Sequence, residues 1–158
     1  MKKTMCIILS LVLPGMAAED RLTGRQEEPL KQASERFMAK ISKEQIPEAM
    51  DDLLDRYWYD KADLAKAKAL LKSQCDAELS KVKTTLGKPL PDGYEFLGVR
   101  RIGKSTIRFV YLQKFQNFFA PWSFTFYKAT SEFKLITLCF GDAVQDDLKT
   151  FTVTEPAH

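Results

Sequence analysis

Histidine is all but missing from this chain: the only one among 158 residues is His158, the last. Imidazole, the side chain that most often moves protons or ligates zinc near neutral pH, is therefore confined to the terminus. Cysteine is scarce too. Of Cys6, Cys75 and Cys139, the first falls in an apolar run near the start. Two thiols on separate elements make neither a disulfide framework nor a zinc-ligand set. Neither sign of charge is in large excess, with 24 Lys and Arg against 21 Asp and Glu, and no basic run concentrates charge for nucleic acid. A Gly-rich phosphate loop is also lacking, because "GKS" at Gly103 to Ser105 has neither the upstream glycine nor the following helix. No metal, no cofactor and no nucleic-acid partner is expected, and no residue is assigned as catalytic.

What is present begins with an address. Lys2 and Lys3 precede the apolar run "MCIILSLVL" (Met5 to Leu13), then Pro14 and Gly15 break any helix and small residues follow. This is the layout of a secretory signal peptide, too short to cross a bilayer as a helix. Cleavage after Ala17 places Gly15 and Ala17 at the small-residue positions, whereas cleavage after Ala18 would place bulky Met16 there. The alternative is a retained N-terminal anchor. With the leader go Cys6, two lysines and no acid, so the formal net charge falls from +3 to +1. The expected protein is exported, periplasmic or secreted, with no membrane span once the signal is removed. Its expected divisions are a signal peptide at 1–17, a flexible segment at 18–28, one domain at 29–151 and a disordered tail at 152–158.

Within the domain the period of apolar residues changes at Gly87. Before it, Leu30, Ala33, Phe37 and Ile41 recur at helical steps behind Pro29, which suits a first turn. Ile46, Met50, Leu53, Leu54 and Tyr57 form a second stripe. Leu64, Ala67, Leu71, Cys75, Leu79, Val82 and Leu86 form the longest, over about Asp63 to Leu86. Gly87 is a C-cap, and Pro89 and Pro91 forbid continuation. After it the period is two, and four strands fit, with turns at Gly103-Lys104, Gln116-Asn117 and Thr130-Ser131. Those turns pair Arg100 with Ile107, Phe109 with Phe124, Tyr111 with Trp122, Phe126 with Leu135, and Trp122 with Cys139. One face then collects most of the aromatic side chains, including Phe96, with Ile102 and Arg100. The other carries Arg101, Arg108, Ser123 and Thr125, and also Ile136, Leu138 and Phe140. The fold class is α+β: three N-terminal helices packed on a curved four-stranded antiparallel sheet.

The stretches "ERFMAKISKEQIPEAMDDLL", "EFLGVRRIGKSTIRFVYLQKF" and "PWSFTFYKATSEFKLITLCFGD" together resemble the cystatin-like cone of the nuclear-transport-factor-two-like superfamily, in particular its small exported bacterial domains. The resemblance runs from about Leu30 to Asp142. It implies a curved sheet wrapped on a long helix, with a pocket between them, in a superfamily that serves isomerases, dehydratases, transport adaptors and immunity proteins. The enzymes of that group work with pocket carboxylates or histidines. Here the apolar sheet face offers neither, which leaves only Asp52 and Asp55 on the second helix.

The expected function is a small exported binding or accessory module with an apolar cavity between long helix and sheet, its ligand small and apolar or acidic. Arg100, a cation among apolar neighbours, either anchors a ligand carboxylate or pairs with a helix acid. Phe109 and Tyr111 line the same side, and Tyr57 and Trp58 in "RYWYD" form either a binding rim or core. Cys75 and Cys139 both face the interior between the third helix and the sheet. They are bonded if their Cα atoms lie within about 7 Å, and buried thiols otherwise. The alternative function is a structural protein, a homodimer formed through the outer sheet face at Ile136, Leu138 and Phe140. A third is an isomerase- or dehydratase-like enzyme using Asp52 or Asp55. Intact-mass measurement on exported protein is expected to find a chain beginning at Ala18, and retention of Met1 would refute the leader.

Overall fold

Among the described residues, apolar side chains at helical spacing become three helices: α1 (Gly24–Ile41), α2 (Ile46–Tyr57) and α3 (Leu64–Leu86). The computed structural model describes residues 6–8, 24–128 and 130–144, so the Ala17 cleavage site and the tail at 152–158 lie outside the described residues. Residues 24–28, expected to be flexible, form the first turns of α1, and Pro29 lies inside the helix rather than at its start. A proline there removes one helical donor. Contacts from other elements hold the turns around it: Glu27 is ion-paired to Arg101, and the Tyr57 hydroxyl donates to the Pro29 carbonyl at 3.4 Å. In α2, Pro47 occupies the first turn, where a missing N–H costs nothing. In α3, Ala67, Leu71, Cys75 and Leu79 are buried at steps of four, and the helix stops at Gly87 (φ 83°). That left-handed backbone is open to glycine at no steric cost.

Among the described residues, five antiparallel strands form one sheet, in the order first, fifth, fourth, third, second along the chain. Four of them, β2 (Pro89–Ile102), β3 (Thr106–Phe115), β4 (Phe119–Lys128) and β5 (Phe133–Phe140), are the expected meander, and a 3-10 turn at Gly141–Val144 ends it. The short β1 (Cys6–Ile8), from the run read as a leader, pairs along β5 opposite Thr137 to Cys139.

The central hairpin has the expected register, with Phe109 opposite Phe124 and Tyr111 opposite Trp122. Phe126 also faces Leu135. Two other expected pairs do not form, each for the same reason: the outer strand carries one extra residue. In β2 the turn holds three residues between Ile102 and Thr106, led by Gly103 at φ 66°, and the register recovers at an irregularity between Phe96 and Gly98. Arg101 therefore stands opposite Ile107, and Arg100 opposite Arg108 on the other face. In β5 a shift between Leu135 and Thr137 places Phe140 opposite Trp122 and Cys139 opposite Ser123. Bulges of this kind flip every later side chain to the opposite face.

The flip in β5 explains why its sequence placed too much apolar surface on the solvent side. Leu138 and Phe140 are core residues of the helix-covered face. Phe37 of α1 meets Trp122 and Phe124 edge-on, with ring centroids 5.4 and 5.2 Å apart, and Tyr57 of α2 meets Phe126 at 5.2 Å. On the opposite face, Val110, Cys139 and Val144 form a second, smaller buried cluster with Leu97 beside it. Ile102, expected inside, is exposed. Because Phe124 is fully buried against Phe37 and Tyr111, Phe124→Ala is expected to cost about 3–5 kcal/mol. Urea unfolding would read this as a lower midpoint at unchanged slope, and a wild-type midpoint would contradict it.

Candidate functional site

The residues expected to form a pocket are separated by the sheet itself. Phe109 and Tyr111 lie on the helix-covered face and are fully buried, while Arg100 is exposed on the other side of β2. Tyr57 and Trp58 are buried core residues, and of "RYWYD" only Tyr59 among the three aromatics is exposed. Where Phe109 and Tyr111 were to line a cavity, aromatic rings stand against one another instead. Tyr111 touches Phe96 and Phe124 at centroid distances of 5.2 and 5.7 Å, and Phe109 touches Phe126 at 6.1 Å. The Tyr111 hydroxyl donates to the Lys31 carbonyl at 3.4 Å. Burial, reinforced by nearby Glu35, pushes its phenol well above the ordinary tyrosine range, so it stays protonated near neutrality.

The cation that does stand on the inner face is Arg101. Its Nε and Nη2 donate to Oε1 and Oε2 of Glu27, each at 2.5 Å. The Glu27 side chain is 11% exposed and that of Arg101 is 50% exposed. The hydrogen bond to Glu27 raises the Arg101 pKa further above its ordinary value. This two-pronged pair ties the first turn of α1 to the open end of β2. The sequence signal for it was the turn length: one more residue after Gly103 exchanges the roles of Arg100 and Arg101.

The two thiols follow the same logic. Cys75 lies in the main core on α3, and Cys139 lies in the small cluster beyond the sheet with Val110. No disulfide joins them, and both are buried. Cys75 is buried on the stripe by which α3 packs against α2, and the β5 bulge turns Cys139 to the far face of the sheet, so the two do not share one interior space. Burial, with a smaller contribution from Asp76, pushes the Cys75 thiol up to about 12, which keeps it from acting as a nucleophile at neutral pH.

The helix acids are engaged by lysines. Asp52 pairs with Lys40, Asp55 with Lys68, and Asp51 with both Lys68 and Lys72. The Lys72 hydrogen bond, opposed in part by desolvation, holds the Asp51 carboxyl below its usual range. Among the described residues, no group of three His, Cys, Asp or Glu side chains is placed to hold a metal ion.

Exposed apolar surface concentrates instead at the β3–β4 turn. Phe118 and Phe119 are 60% and 38% exposed, and their rings stack with centroids 4.5 Å apart and planes 14° from parallel. The turn beneath them is rigidly held. Phe115 N–H donates to the Phe118 carbonyl at 2.8 Å, Asn117 N–H to Leu86 at 2.9 Å, and Gln116 N–H to Lys88 at 3.0 Å. Leu90, also exposed, follows Pro89, which pairs with Phe115 at the same end of the sheet. Sequence reasoning passed over this pair, although "NFF" directly after a turn signal was there to be noticed. A shallow open groove between α1 and β2 is lined by Gln32, Glu35, Arg36, Ala39 and Tyr94.

Removing Arg101 leaves the Glu27 carboxylate buried with its strongest partner gone. Arg101→Ala is therefore expected to cost about 1–3 kcal/mol, between the values for an exposed and a fully buried pair because the arginine is half in solvent. Arg100→Ala is expected to cost less than about 0.5 kcal/mol. Equal losses in chemical denaturation would overturn the assignment of faces. The chain matches no family profile, no curated protein and no solved structure.

Proposed function

We propose that the chain is an exported binding or accessory module whose working surface is the β3–β4 turn, and that it belongs with the cone-shaped domains of the nuclear-transport-factor-two-like superfamily. The observation that carries the first part is the stacked, exposed pair Phe118 and Phe119 on a turn pinned by three backbone hydrogen bonds. Fully burying a phenylalanine side chain is worth about 1.5–3 kcal/mol. A water-facing aromatic pair therefore represents binding energy that folding has left unused. Because the turn is already ordered, a partner that covers the rings has little conformational entropy to remove. The fit is to an apolar depression on another protein, in the manner of aromatic hot spots. The cone assignment rests on the order of the elements alone. If the leader is cleaved, β1 leaves with it and β5 becomes the sheet edge.

The alternative, self-association through the outer sheet face at Ile136, Leu138 and Phe140, keeps only half-buried Ile136 as a carrier, because Leu138 and Phe140 are core residues. A photo-reactive phenylalanine analogue at position 118, expressed in an exporting host, tests the proposal against the same analogue at position 104, in the turn at the opposite end of β3. A cross-linked partner protein from 118 and none from 104 is the expected result. Equal labelling at both positions, or none, would overturn it, and an adduct of two copies of this chain would replace it with self-association. Phe118→Ser is expected to abolish partner binding while leaving stability within about 0.5 kcal/mol.

A further inference from the structure

Among the described residues, the hydrogen bonding of Gln113 is incomplete, at the end of the sheet near the α1–α2 connection. Gln113 on β3 is fully buried, and its Oε1 accepts the Trp122 indole N–H at 2.8 Å. An indole nitrogen can only donate, so the amide must turn its oxygen to Trp122. Its Nε2 then points the other way, where it meets no acceptor among the described residues. Buried amide donors are almost always satisfied, by protein or by ordered water. The indole N–H of buried Trp58 also lacks an acceptor.

Gln113 lines a small, partly open cavity of about 10 Å³, walled mainly by Ile41, Ile46, Leu79 and Phe115. That is close to the room one water needs, roughly 10–15 Å³ measured in the same way. Glu44 and Lys83 also line it, and they are bonded to each other at 2.6 Å. Glu44 takes a left-handed backbone at φ 60°, uncommon for a residue with a side chain. The connection holds it there: Glu44 N–H donates to Ile41 at 2.9 Å, and Gln45 N–H to Lys40 at 2.9 Å. An orphan donor, a cavity of one-water size and a strained acidic residue thus coincide.

We propose that this cavity is a binding site for a single ordered water, which accepts a hydrogen bond from Gln113 Nε2 and donates one to the Glu44 carboxylate. Chemistry and size select the occupant. A donor from Gln113 requires an acceptor, which excludes ammonium, and about 10 Å³ leaves no room for an anion larger than water. Water satisfies both and fits. The result is one polar line from the core to the surface, from Trp122 through Gln113 and the water to the Glu44–Lys83 pair. It fixes the ring plane of Trp122 and the seating of the α1–α2 connection on the sheet. The inference is independent of the proposed binding surface.

A high-resolution crystal structure of the full chain, paired with water-to-protein NMR cross-relaxation, tests it. The expected result is one density peak about 3 Å from Gln113 Nε2, with a long-lived water signal to the Gln113 side-chain amide protons. Glu44→Ala, at a half-exposed position that leaves the core intact, is expected to open the cavity and abolish the long-lived signal. An empty cavity, or a Gln113 amide bonded to a protein carbonyl instead, would overturn the site. A long-lived signal unchanged in Glu44→Ala would overturn the part assigned to Glu44.

Discussion

Phe37 presses its ring against Trp122 and Phe124 at the same time, and the remaining architecture is arranged around that contact. Trp122 and Phe124 stand on β4, opposite Tyr111 and Phe109 on β3, so one helical side chain closes over a four-residue aromatic patch. Edge-on rings add to the area they bury. A one-residue slip of either central strand would turn that strand's half of the patch into water. The register of the hairpin and the seating of α1 are consequently a single decision. α2 extends the same cover through Tyr57 on Phe126, and α3 supports α2 from behind with its stripe of Ala67, Leu71, Cys75 and Leu79.

Because the central hairpin cannot move, the outer strands must adapt to it. β2 and β5 each do so with one extra residue, near Leu97 and near Ile136. Both shifts have chemical consequences well beyond their own position. In β2 the shift exchanges the two adjacent arginines, so that Arg101 reaches Glu27 and Arg100 faces solvent. In β5 it brings Leu138 and Phe140 inward and sends Cys139 to the far side, away from Cys75. A thiol pair and a buried cation both vanish from the interior for the same geometric reason.

Aromatic rings pack against one another around Tyr111 on the inner face, and the stacked, exposed rings lie at the end of the hairpin. Phe118 and Phe119 belong to the turn that joins the two central strands. The rigidity that the aromatic patch requires is therefore passed directly to the exposed pair. The same hairpin carries Gln113, whose amide joins Trp122 to the polar end of the molecule. Core, exposed rings and buried amide are features of one β-hairpin.

The sequence by itself determined the three helices, the strand meander and the pairing of the central hairpin. Those depend on local quantities: the step between apolar residues, the proline and glycine that end α3, and the turn residues between β3 and β4. It also located nearly all the core aromatics, since large rings at alternate positions have only one face to occupy. Only the tertiary structure decided which arginine turns inward, where Cys139 points and whether the space beneath the sheet is filled. A single inserted residue in a strand flanking the central hairpin reverses such assignments, and its cost is set by neighbours distant in the chain, Glu27 for Arg101 and the Phe37 cluster for Phe140. Nothing in the local pattern at Leu97 or Ile136 marks the insertion. The leftover apolar residues of β5 and the arginine set among apolar residues of β2 recorded its effect in the sequence, and the packing of the helices supplied the cause.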